Sequence, residues 1–373
     1  MCGDPGGGLR GCAPVPLSPS AARKEYAVTA FLSVEGAAKR FAPVLTFGDK
    51  VATWLGAQKP PRTVHAVDGV DLFVERGAVL GLVGESGSGK STLGRMVAGI
   101  HVPTEGSIRL EGMPVMSPGN RPRKITTRVQ MVFQDPFASL DPRMRIADTL
   151  AEGPIAHGLT TRREAMAYAR KWLETVGLDP DYATRFPHQF SGGQRQRVAI
   201  ARALAMQPDL LVCDEPVASL DVSIQAQIIN LLMRLRRELN LTLLFISHDL
   251  SVVRHLCDRV AIMYLGRIVE EGPTPEVYET PRHPYTRALL ESVPRLEIDD
   301  DVDVVFRPIE GELPSPQNPP AGCHFNARCP LVFDRCRIER PLLNEVGNGR
   351  LAACHLASPD QAGPNLAIKP ISG

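Results

Sequence analysis

The sequence lacks the long hydrophobic runs that mark membrane proteins. Its 373 residues contain no apolar run of eighteen residues, and the N-terminus has no charged stretch followed by an apolar one, as a signal peptide would have. We therefore expect a soluble, cytoplasmic protein. A surplus of charge is also missing, because 42 Lys and Arg balance 41 Asp and Glu for a formal net charge of +1. This near-balance gives no reason to expect nucleic acid or acidic lipid as a partner.

The length allows a large core and predicts a division into two domains. Residues 1–30 are rich in Gly, Pro, Ala and Ser and show little periodicity. Such a composition cannot offset the entropy lost when a backbone is ordered. We therefore predict a disordered N-terminal tail.

A phosphate-binding loop is the strongest single motif. It follows the strand-like run 79–83, opens into a helical pattern that ends at Gly99, and has the spacing G-x-x-x-x-G-K-[ST]. The glycines allow backbone N–H groups to turn around phosphate oxygens, Lys90 would reach the β and γ phosphates, and the Ser91 hydroxyl would ligate Mg²⁺. The predicted nucleotide-binding residues are Gly84, Glu85, Ser86, Gly87, Ser88, Gly89, Lys90, Ser91 and Thr92.

An aromatic residue upstream of this loop is a candidate for adenine stacking. Phe41 ends a strand-like pattern, and a ring placed there can cover one face of the base. A role in the core explains Phe41 equally well, and Phe47 and Trp54 are competing candidates for the stacking position.

A second motif, the signature segment, consists of Ser191, Gly192, Gly193 and Gln194. Ser191 and Gln194 fit a capping box at the start of a helix. The two glycines lower helix propensity but expose backbone N–H groups at the positive end of the helix dipole. Two interpretations stay open: a well-capped helix, and an anion site that caps the γ-phosphate of a nucleotide bound by another subunit.

Two acidic residues follow an apolar strand-like run. Residues 210–213 are all apolar, which is typical of a strand buried on both faces of a parallel sheet, and Asp214 and Glu215 come next. Acidic side chains are costly there unless they serve a cation or a reaction. We predict that Asp214 holds Mg²⁺ and that Glu215 polarises the attacking water. The triplet 219–221, which ends with Asp221, could line a subunit junction.

Two further polar residues follow strand-like runs. Gln134 ends the run 129–134, where its amide could reach Mg²⁺ or the attacking water, and His248 follows the run 243–246, where it could contact the γ-phosphate. Each signal is weak alone, because glutamine is common at strand ends and a histidine is more often structural. Their shared position with Glu215 at one sheet edge makes all three candidate catalytic residues.

Four of the eight cysteines lie near the C-terminus: Cys323, Cys329, Cys336 and Cys354. In a cytoplasmic protein such crowding suggests a metal or cluster site ahead of disulfides. The C-x2-4-C knuckle of structural zinc sites is absent, whereas an iron–sulfur cluster tolerates varied spacing. A [4Fe–4S] cluster, Zn²⁺ and free buried thiols stay open at this point, and His324 and His355 are weaker ligand candidates.

In this order the motifs resemble the ATPase subunit of an ABC transporter. The signature segment is the specific element, because other phosphate-loop ATPases lack it. Finer features are similar to the ATP-binding subunits of oligopeptide and dipeptide importers: FQDP at 133–136, SLDPR at 139–143 and HPYT at 283–286. The resemblance covers the chain from about residue 31 to about residue 356.

The resemblance implies an α/β fold with a P-loop, RecA-like ATPase core, an antiparallel β subdomain and an inserted helical subdomain at about residues 137–190. The ATPase domain would span residues 31–268, and residues 269–373 would form a small cysteine-rich C-terminal domain. In such importers the tail pattern is similar to a cluster-binding module, which favours a [4Fe–4S] cluster over Zn²⁺ for the four cysteines.

The resemblance also implies ATP-driven closure of two ATPase subunits, alike or different, around two nucleotides. ATP and Mg²⁺ held by residues 84–92 of one subunit would meet the signature segment and Asp221 of the other. The helical subdomain near Gln134 would receive short helices from two transmembrane permease subunits, which places the chain at the cytoplasmic face of the inner membrane. An extracytoplasmic solute-binding protein would be an indirect partner.

The expected function is ATP-powered import of oligopeptides or dipeptides. Nickel chelates, glutathione and oligosaccharides are alternative cargoes, because the ATPase subunit does not touch cargo. A soluble ABC-type ATPase acting on ribosomes or DNA is the alternative from another class. Such proteins usually carry two cassettes or a long coiled coil, and neither is visible in this sequence.

Overall fold

A computed structural model describes residues 30–42, 63–119, 121–218, 220–292, 309 and 311–357. Within these ranges the chain forms two β-sheets with helices packed around them. Some predictions concern residues outside the described ranges: nearly all of the N-terminal tail, Phe47, Trp54 and Ser219.

The strands divide between a small antiparallel sheet and a large mixed sheet. In chain order they are β1 (Leu32–Phe41), β2 (Val64–Val74), β3 (Val79–Val83), β4 (Glu105–Leu110), β5 (Met113–Pro114), β6 (Val129–Val132), β7 (Leu210–Asp214), β8 (Thr242–Ser247), β9 (Arg259–Tyr264), β10 (Arg267–Pro273), β11 (Asn344–Glu345) and β12 (Leu351–Ala352). The small sheet has the order β2-β1-β4-β5, and the large sheet has the order β11-β12-β10-β9-β3-β8-β7-β6.

Helices connect and cover these strands. In chain order they are α1 (Lys90–Val97), α2 (Pro136–Ser139), α3 (Ile146–Ala156), α4 (Ala165–Thr175), α5 (Gly192–Leu204), α6 (Val222–Leu239), α7 (Leu250–Leu256), α8 (Thr274–Glu279), α9 (Pro284–Glu291) and α10 (Asp334–Ile338), with 3₁₀ turns at Pro180–Thr184 and Pro187–Gln189. None of the helices in the described part of the chain is both long and apolar enough to cross a bilayer.

The parallel part of the large sheet positions the site. β3 pairs in parallel with β8 and β9, β8 with β7, and β7 with β6. The carboxyl ends of parallel strands meet at one edge of a sheet, which is where open α/β sheets bind ligands. The phosphate loop, Gln134, Asp214 and His248 therefore all reach the same edge, although they are far apart in sequence.

Alternating side chains of the central strands enter two different apolar cores. Leu243 and Phe245 of β8 lie in a core with α3, α4, α5 and α6, whereas Leu244 and Ile246 lie in a core with α1 and the antiparallel sheet. Successive side chains of a strand point to opposite faces, so a strand covered on both sides must be apolar at every position. This explains the unbroken apolar runs that the sequence shows before the polar residues of the site.

The stretch between β6 and α5 is mostly helical, as the apolar spacing predicts. It contains α2, α3, α4 and the two 3₁₀ turns. Leu150, Trp172 and Leu173 of this insertion share one core with Val198 of α5 and with the central sheet. β6 ends at Val132, two residues earlier than the sequence run suggests, because the Asp135 side chain accepts a hydrogen bond from Phe137 N and caps α2.

The C-terminal segment continues the large sheet. β10 pairs with β9 on one side and with β12 on the other, and β11 extends the sheet further. The predicted boundary at residue 268 therefore falls inside β10. Within the described residues, β10, β11 and β12 belong to the same sheet as the central strands, so the structure does not show a separate cysteine-rich domain.

Candidate functional site

The phosphate loop joins β3 to α1, and two of its glycines lie too close to backbone for any side chain. A Cβ added to Gly84 would lie 2.1 Å from Met263 O, and one added to Gly89 would lie 2.1 Å from Ala66 O. Gly89 also has a φ of 106° at the N-cap of α1. These glycines let the loop pass close to the neighbouring backbone while its own N–H groups stay available to phosphate.

Lys90 folds back into the loop that precedes it. Its Nζ donates hydrogen bonds to Gly84 O at 2.6 Å and to Glu85 O at 2.9 Å, and the side chain is buried. Burial lowers the pKa of Lys90, and the nearby Glu215, Asp214 and Glu85 carboxylates oppose this effect. A buried cation held by two carbonyl oxygens is placed to exchange one of them for a phosphate oxygen.

The side chain of Ser91, in α1, contacts the side chain of Asp214, at the end of β7. Ser91 Oγ donates a hydrogen bond to Asp214 Oδ1 at 2.7 Å, although the two residues are 123 positions apart in sequence. Burial raises the pKa of the Asp214 carboxyl, while this hydrogen bond, Arg95 and Lys90 act in the opposite direction. A hydroxyl and a buried carboxylate beside the phosphate loop are the oxygen ligands that Mg²⁺ prefers.

Glu215 is the centre of a polar cluster directly after β7. Gln134 Nε2 donates a hydrogen bond to Glu215 Oε2 at 3.1 Å, and His248 Nδ1 lies 3.3 Å from the same oxygen. Glu215 has a φ of 46°, which is unusual for a residue with a side chain, and its N–H donates to Ile246 O at 3.0 Å. The structure thus brings together the three predicted catalytic residues.

Only two of the three predicted Mg²⁺ ligands, Ser91, Asp214 and Gln134, contact each other. Ser91 and Asp214 are in contact, whereas the Gln134 amide is engaged with Glu215. Gln134 as a metal ligand therefore stays a prediction.

The signature segment forms the capping box of α5. Ser191 Oγ accepts a hydrogen bond from Gln194 N at 3.3 Å, and Gln194 Oε1 accepts one from Ser191 N at 3.0 Å. The segment is at the surface, with Ser191 and Gly192 exposed. A Cβ on Gly193 would lie 2.6 Å from Ile224 Cγ2 in α6, so the second glycine is also needed for helix packing. The capping-box interpretation is confirmed, and the anion-site interpretation stays a prediction.

Asp221 and Phe41 are the two remaining predicted site residues in the described part of the chain. Asp221 is exposed at the N-cap of α6, where its side chain makes no capping hydrogen bond. Phe41 is 39% exposed at the end of β1, and its ring packs edge-on against His101 with 5.7 Å between ring centroids. Adenine stacking by Phe41 and a subunit junction at Asp221 stay predictions.

Two residues outside the predicted site contact the phosphate loop. Tyr285 Oη accepts a hydrogen bond from Glu85 N at 2.9 Å, and Arg328 forms two hydrogen bonds with the Glu85 carboxylate, at 2.7 and 2.9 Å. Tyr285 lies 200 positions and Arg328 lies 243 positions beyond Glu85. Tyr285 belongs to the HPYT motif, but the sequence around Arg328 contains no pattern that would single it out.

The four C-terminal cysteines line one small pocket together with His283, Phe325 and His355. Burial raises the pKa of the Cys323 thiol to about 11 and that of Cys354 to about 12. Nowhere in the described residues do three or more His, Cys, Asp or Glu side chains form a group that could hold a metal ion. The structure thus gathers the four thiols but does not form a metal site from them.

A broad surface cavity lies where the helical insertion meets the central sheet. Ile100, Ile125 and Phe133 line it from the sheet side, and His157 and Met206 line it from the helical side. Two cationic side chains also line it: Lys124 Nζ donates to Val129 O and Arg202 Nη1 donates to Ser139 O. We call this cavity the insertion groove.

Comparison with protein families gives two matches along the chain. A model described as ABC transporter matches residues 67–218, and a model described as Oligopeptide/dipeptide transporter, C-terminal region, matches residues 269–336. The first match contains the phosphate loop, Gln134, the signature segment and Glu215. The second contains Tyr285 and Arg328.

Curated relatives are similar over most of the chain. The oligopeptide transport ATP-binding protein OppF of Escherichia coli is 49% identical over 290 residues, which are 76% of this chain and 86% of that protein. The oligopeptide transport ATP-binding protein AppF of Bacillus subtilis is 48% identical over 303 residues, which are 81% of this chain and 92% of that protein.

Solved structures share the fold. The ATP-binding cassette MJ0796, described as dimeric and bound to ADP and Pi after hydrolysis, has a TM-score of 0.52 and 25% identity, with 65% of this chain and 98% of that chain covered. CbiO1 of Clostridium perfringens, described as part of the ABC transporter complex cbiONQ, has a TM-score of 0.52 and 27% identity, with 67% and 91% covered.

Proposed function

Because this chain belongs to the ABC transporter family, among its oligopeptide and dipeptide ATP-binding proteins, we propose that it hydrolyses ATP to power peptide import through a membrane transporter. One observation carries the proposal. Lys90, the Ser91–Asp214 pair and the Glu215 cluster meet at one edge of the parallel sheet. These are the parts that phosphoryl transfer to water requires.

Each residue at this sheet edge would have a separate task in ATP hydrolysis. Lys90 and the loop N–H groups hold the phosphates, and Ser91 with Asp214 would hold the Mg²⁺ ion that neutralises phosphate charge. Glu215 accepts a hydrogen bond from the attacking water and orients it. Gln134 and His248 both reach Glu215 Oε2, which supports a role in fixing that carboxylate, and their own polar groups would face the γ-phosphate of bound ATP.

A second ATPase subunit, either a copy of this chain or a relative, completes the site. The exposed N-terminus of α5 presents the signature segment to the surface, and Val222 beside Asp221 is 82% exposed. The signature segment and the start of α6 are therefore both open to contact by another subunit. In the paired state the signature segment of one subunit would face the γ-phosphate held by the other, since a helix N-terminus attracts anions.

Replacing Gly192 with aspartate tests the paired site. Gly192 is exposed and a Cβ there meets only Leu220 at 3.5 Å, so the fold tolerates the change. The new carboxylate would repel the γ-phosphate. We expect ATP hydrolysis by the assembled transporter to fall at least about tenfold, with ATP binding by the isolated chain unchanged. Gly192→Ala is the neutral control, and equal hydrolysis by the aspartate variant would contradict the proposal.

The insertion groove is the proposed docking site of the two permease subunits. Phe133 lines the groove and directly precedes Gln134 in the chain, so a helix seated in the groove could sense whether the Glu215 cluster is engaged. Its rim carries Ile100, 47% exposed, and Ile125, 54% exposed, which an amphipathic helix of a permease would cover. Docking there would hold the chain at the cytoplasmic face of the inner membrane, with a solute-binding protein acting on the far side.

Ile100→Asp should separate docking from ATP binding. A charge on the rim would have to be desolvated under the permease helix, so we expect the variant to lose co-purification with the permease subunits and to keep its ATP affinity. Met113→Asp is the matched control, because Met113 is 67% exposed and lies outside the groove. Normal assembly of the Ile100 variant would exclude the groove as the docking site.

The finer proposal for the C-terminal segment is a [4Fe–4S] cluster held by Cys323, Cys329, Cys336 and Cys354. The donor chemistry is suitable, because four thiols and no carboxylate line the pocket. The cluster would add a structural crosslink between chain segments that carry the four cysteines.

Metal analysis of anaerobically purified protein checks this proposal. We expect brown protein with absorbance near ~400 nm, bound iron and bound sulfide. Cys354→Ser should remove the colour, and Cys257→Ser, a buried cysteine packed in the apolar core away from the pocket, should keep it. Colourless protein with stoichiometric zinc would support the zinc alternative, and colourless protein without metal would leave four free thiols.

The alternative functions receive no support from the comparisons. The relatives are named for oligopeptide transport and the solved cassettes for an ABC complex and an ATP-hydrolysis state. Nickel chelate, glutathione or oligosaccharide import, and a ribosome or DNA ATPase, therefore have no observation in their favour. Peptide uptake by the assembled transporter, dependent on Glu215, is the direct test of the function.

A further inference from the structure

The part of the chain after residue 268, called the C-terminal segment below, contacts Glu85 of the phosphate loop through two side chains. The Arg328 guanidinium forms a two-point pair with the Glu85 carboxylate, with Nη1–Oε2 at 2.7 Å and Nη2–Oε1 at 2.9 Å. Tyr285 Oη accepts the Glu85 N–H at 2.9 Å. Arg328 therefore positions the side chain of Glu85, and Tyr285 positions its backbone.

The Arg328 contact is built into the protein interior. The side chain of Arg328 is only 5% exposed, whereas ordinary surface ion pairs are mostly open to water. Arg328 Nη1 also donates to Tyr264 Oη at 3.4 Å, and Tyr264 packs in turn against Tyr285 and Phe325 with ring centroids 4.6 to 5.4 Å apart. A buried guanidinium with several fixed hydrogen-bond acceptors has less rotamer freedom to lose than an exposed one, which favours the two-point pair with Glu85.

The C-terminal segment contacts the ATPase part of the chain at two further points. A Cβ on Gly87 would lie 3.8 Å from Leu313 Cδ2, which places that side chain beside the loop. The N–H of His65, at the start of β2, donates to Pro316 O at 3.0 Å. Leu313 and Arg328 therefore contact the phosphate loop, and Pro316 contacts the start of β2.

The charge of Glu85 makes the Arg328 contact important for nucleotide binding. Glu85 O accepts a hydrogen bond from Lys90 Nζ, so the carboxylate belongs to the same short loop that surrounds the phosphates. An unpaired carboxylate at this place would repel the triphosphate and could attract the Lys90 ammonium. The Arg328 guanidinium pairs with the carboxylate and neutralises its charge.

We propose that Arg328 is a positioning residue of the ATP site, and that ATP affinity therefore depends on the C-terminal segment being folded against the phosphate loop. The inference rests on ATP binding at that loop, as proposed above. The C-terminal segment would then contribute to ATP binding, in addition to the residues of the ATPase motifs.

A double-mutant cycle on the purified full-length chain tests the inference. The variants are Arg328→Met, which keeps the apolar stem, Glu85→Gln, which removes the charge, and their combination, each titrated with a fluorescent ATP analogue. Arg328→Met should raise Kd about tenfold, the change expected for losing a hydrogen-bonded charge pair. Adding Glu85→Gln should recover most of that loss, because the bare carboxylate is then gone.

A purely structural arginine would give a different pattern. Loss of folding stability alone would not be repaired by neutralising Glu85, so failure of the double variant to bind ATP more tightly than Arg328→Met would overturn the inference. Wild-type affinity of Arg328→Met would overturn it as well. Should Arg328→Met fail to fold, Arg328→Lys keeps charge and volume but loses the two-point geometry, and the same cycle applies with a smaller expected loss.

Two controls separate this inference from the function on which it rests. Arg335→Met removes an exposed pair with Glu339 in the same segment and should leave Kd unchanged. Lys90→Ala should weaken ATP binding whether or not Arg328 matters, so normal affinity of that variant would reject the ATP site itself. In the assembled transporter, Arg328→Met should raise KM for ATP and leave kcat within about twofold of wild type.

Discussion

Replacing Glu215 with glutamine is expected to lower ATP hydrolysis by the assembled transporter about a hundredfold or more, with ATP binding retained. Glutamine keeps the size of the side chain and can still contact Gln134 and His248, but its neutral amide is a poor acceptor for a water proton. Glu215 is the acceptor in that cluster, and its backbone conformation directs it to the sheet edge after β7.

The measurement is steady-state phosphate release beside equilibrium ATP binding. Glu105→Gln, the same substitution at an exposed position on β4 far from the catalytic cluster in sequence, is the control and should hydrolyse ATP normally. Near-normal turnover of Glu215→Gln would show that another group activates the water. Tight ATP binding without turnover would instead trap the paired, ATP-bound state, which makes this variant useful for structural work.

Replacing Lys90 should have the second large effect, and it should act on binding. Lys90→Ala and Lys90→Met remove the ammonium that now contacts Gly84 O and Glu85 O. A hydrogen bond to a charged group contributes about 1.5–3 kcal/mol, so we expect the Kd for ATP to rise roughly ten- to a hundredfold. The methionine side chain would fill most of the buried space, so agreement between the two variants would show that charge, and not packing, is responsible.

Isothermal titration with ATP and Mg²⁺ measures the change, and thermal unfolding confirms that both variants are folded. Lys171→Ala, on the exposed surface of α4, is the control. Unchanged affinity in the Lys90 variants would remove the main support for the phosphate loop as the nucleotide site. The Lys90 variants should bind ATP weakly, whereas Glu215→Gln should bind ATP normally and fail to hydrolyse it.

The prediction from sequence was most complete where the information is local. A phosphate loop, a capping box and an unbroken apolar strand each occupy a few consecutive residues, so their spacing alone identifies them. β3 and the capping box at Ser191 agree with the sequence-based predictions. The sheet edge could be inferred as well, because parallel strands bring their carboxyl ends together.

Contacts between distant residues could not be predicted in the same way. The sequence explains Gly193 by a capping box or an anion site, and only the structure shows that Ile224 in α6 also leaves no room for a side chain there. The sequence run predicts a strand that ends at Gln134, whereas the strand ends at Val132 and the Gln134 amide contacts Glu215. Each of these outcomes depends on which element packs alongside, and that is set by the whole core.

The sequence by itself determined which chemistry this chain carries: a triphosphate loop, an acidic strand end and a signature segment, each recognisable because its physical task needs certain residue types at fixed short spacing. Only the tertiary structure decided that Arg328 and Tyr285 hold the phosphate loop and that four separated thiols share one pocket. The reason is that folding brings residues 200 and 243 positions apart into contact, and such pairs leave no periodic pattern along the chain.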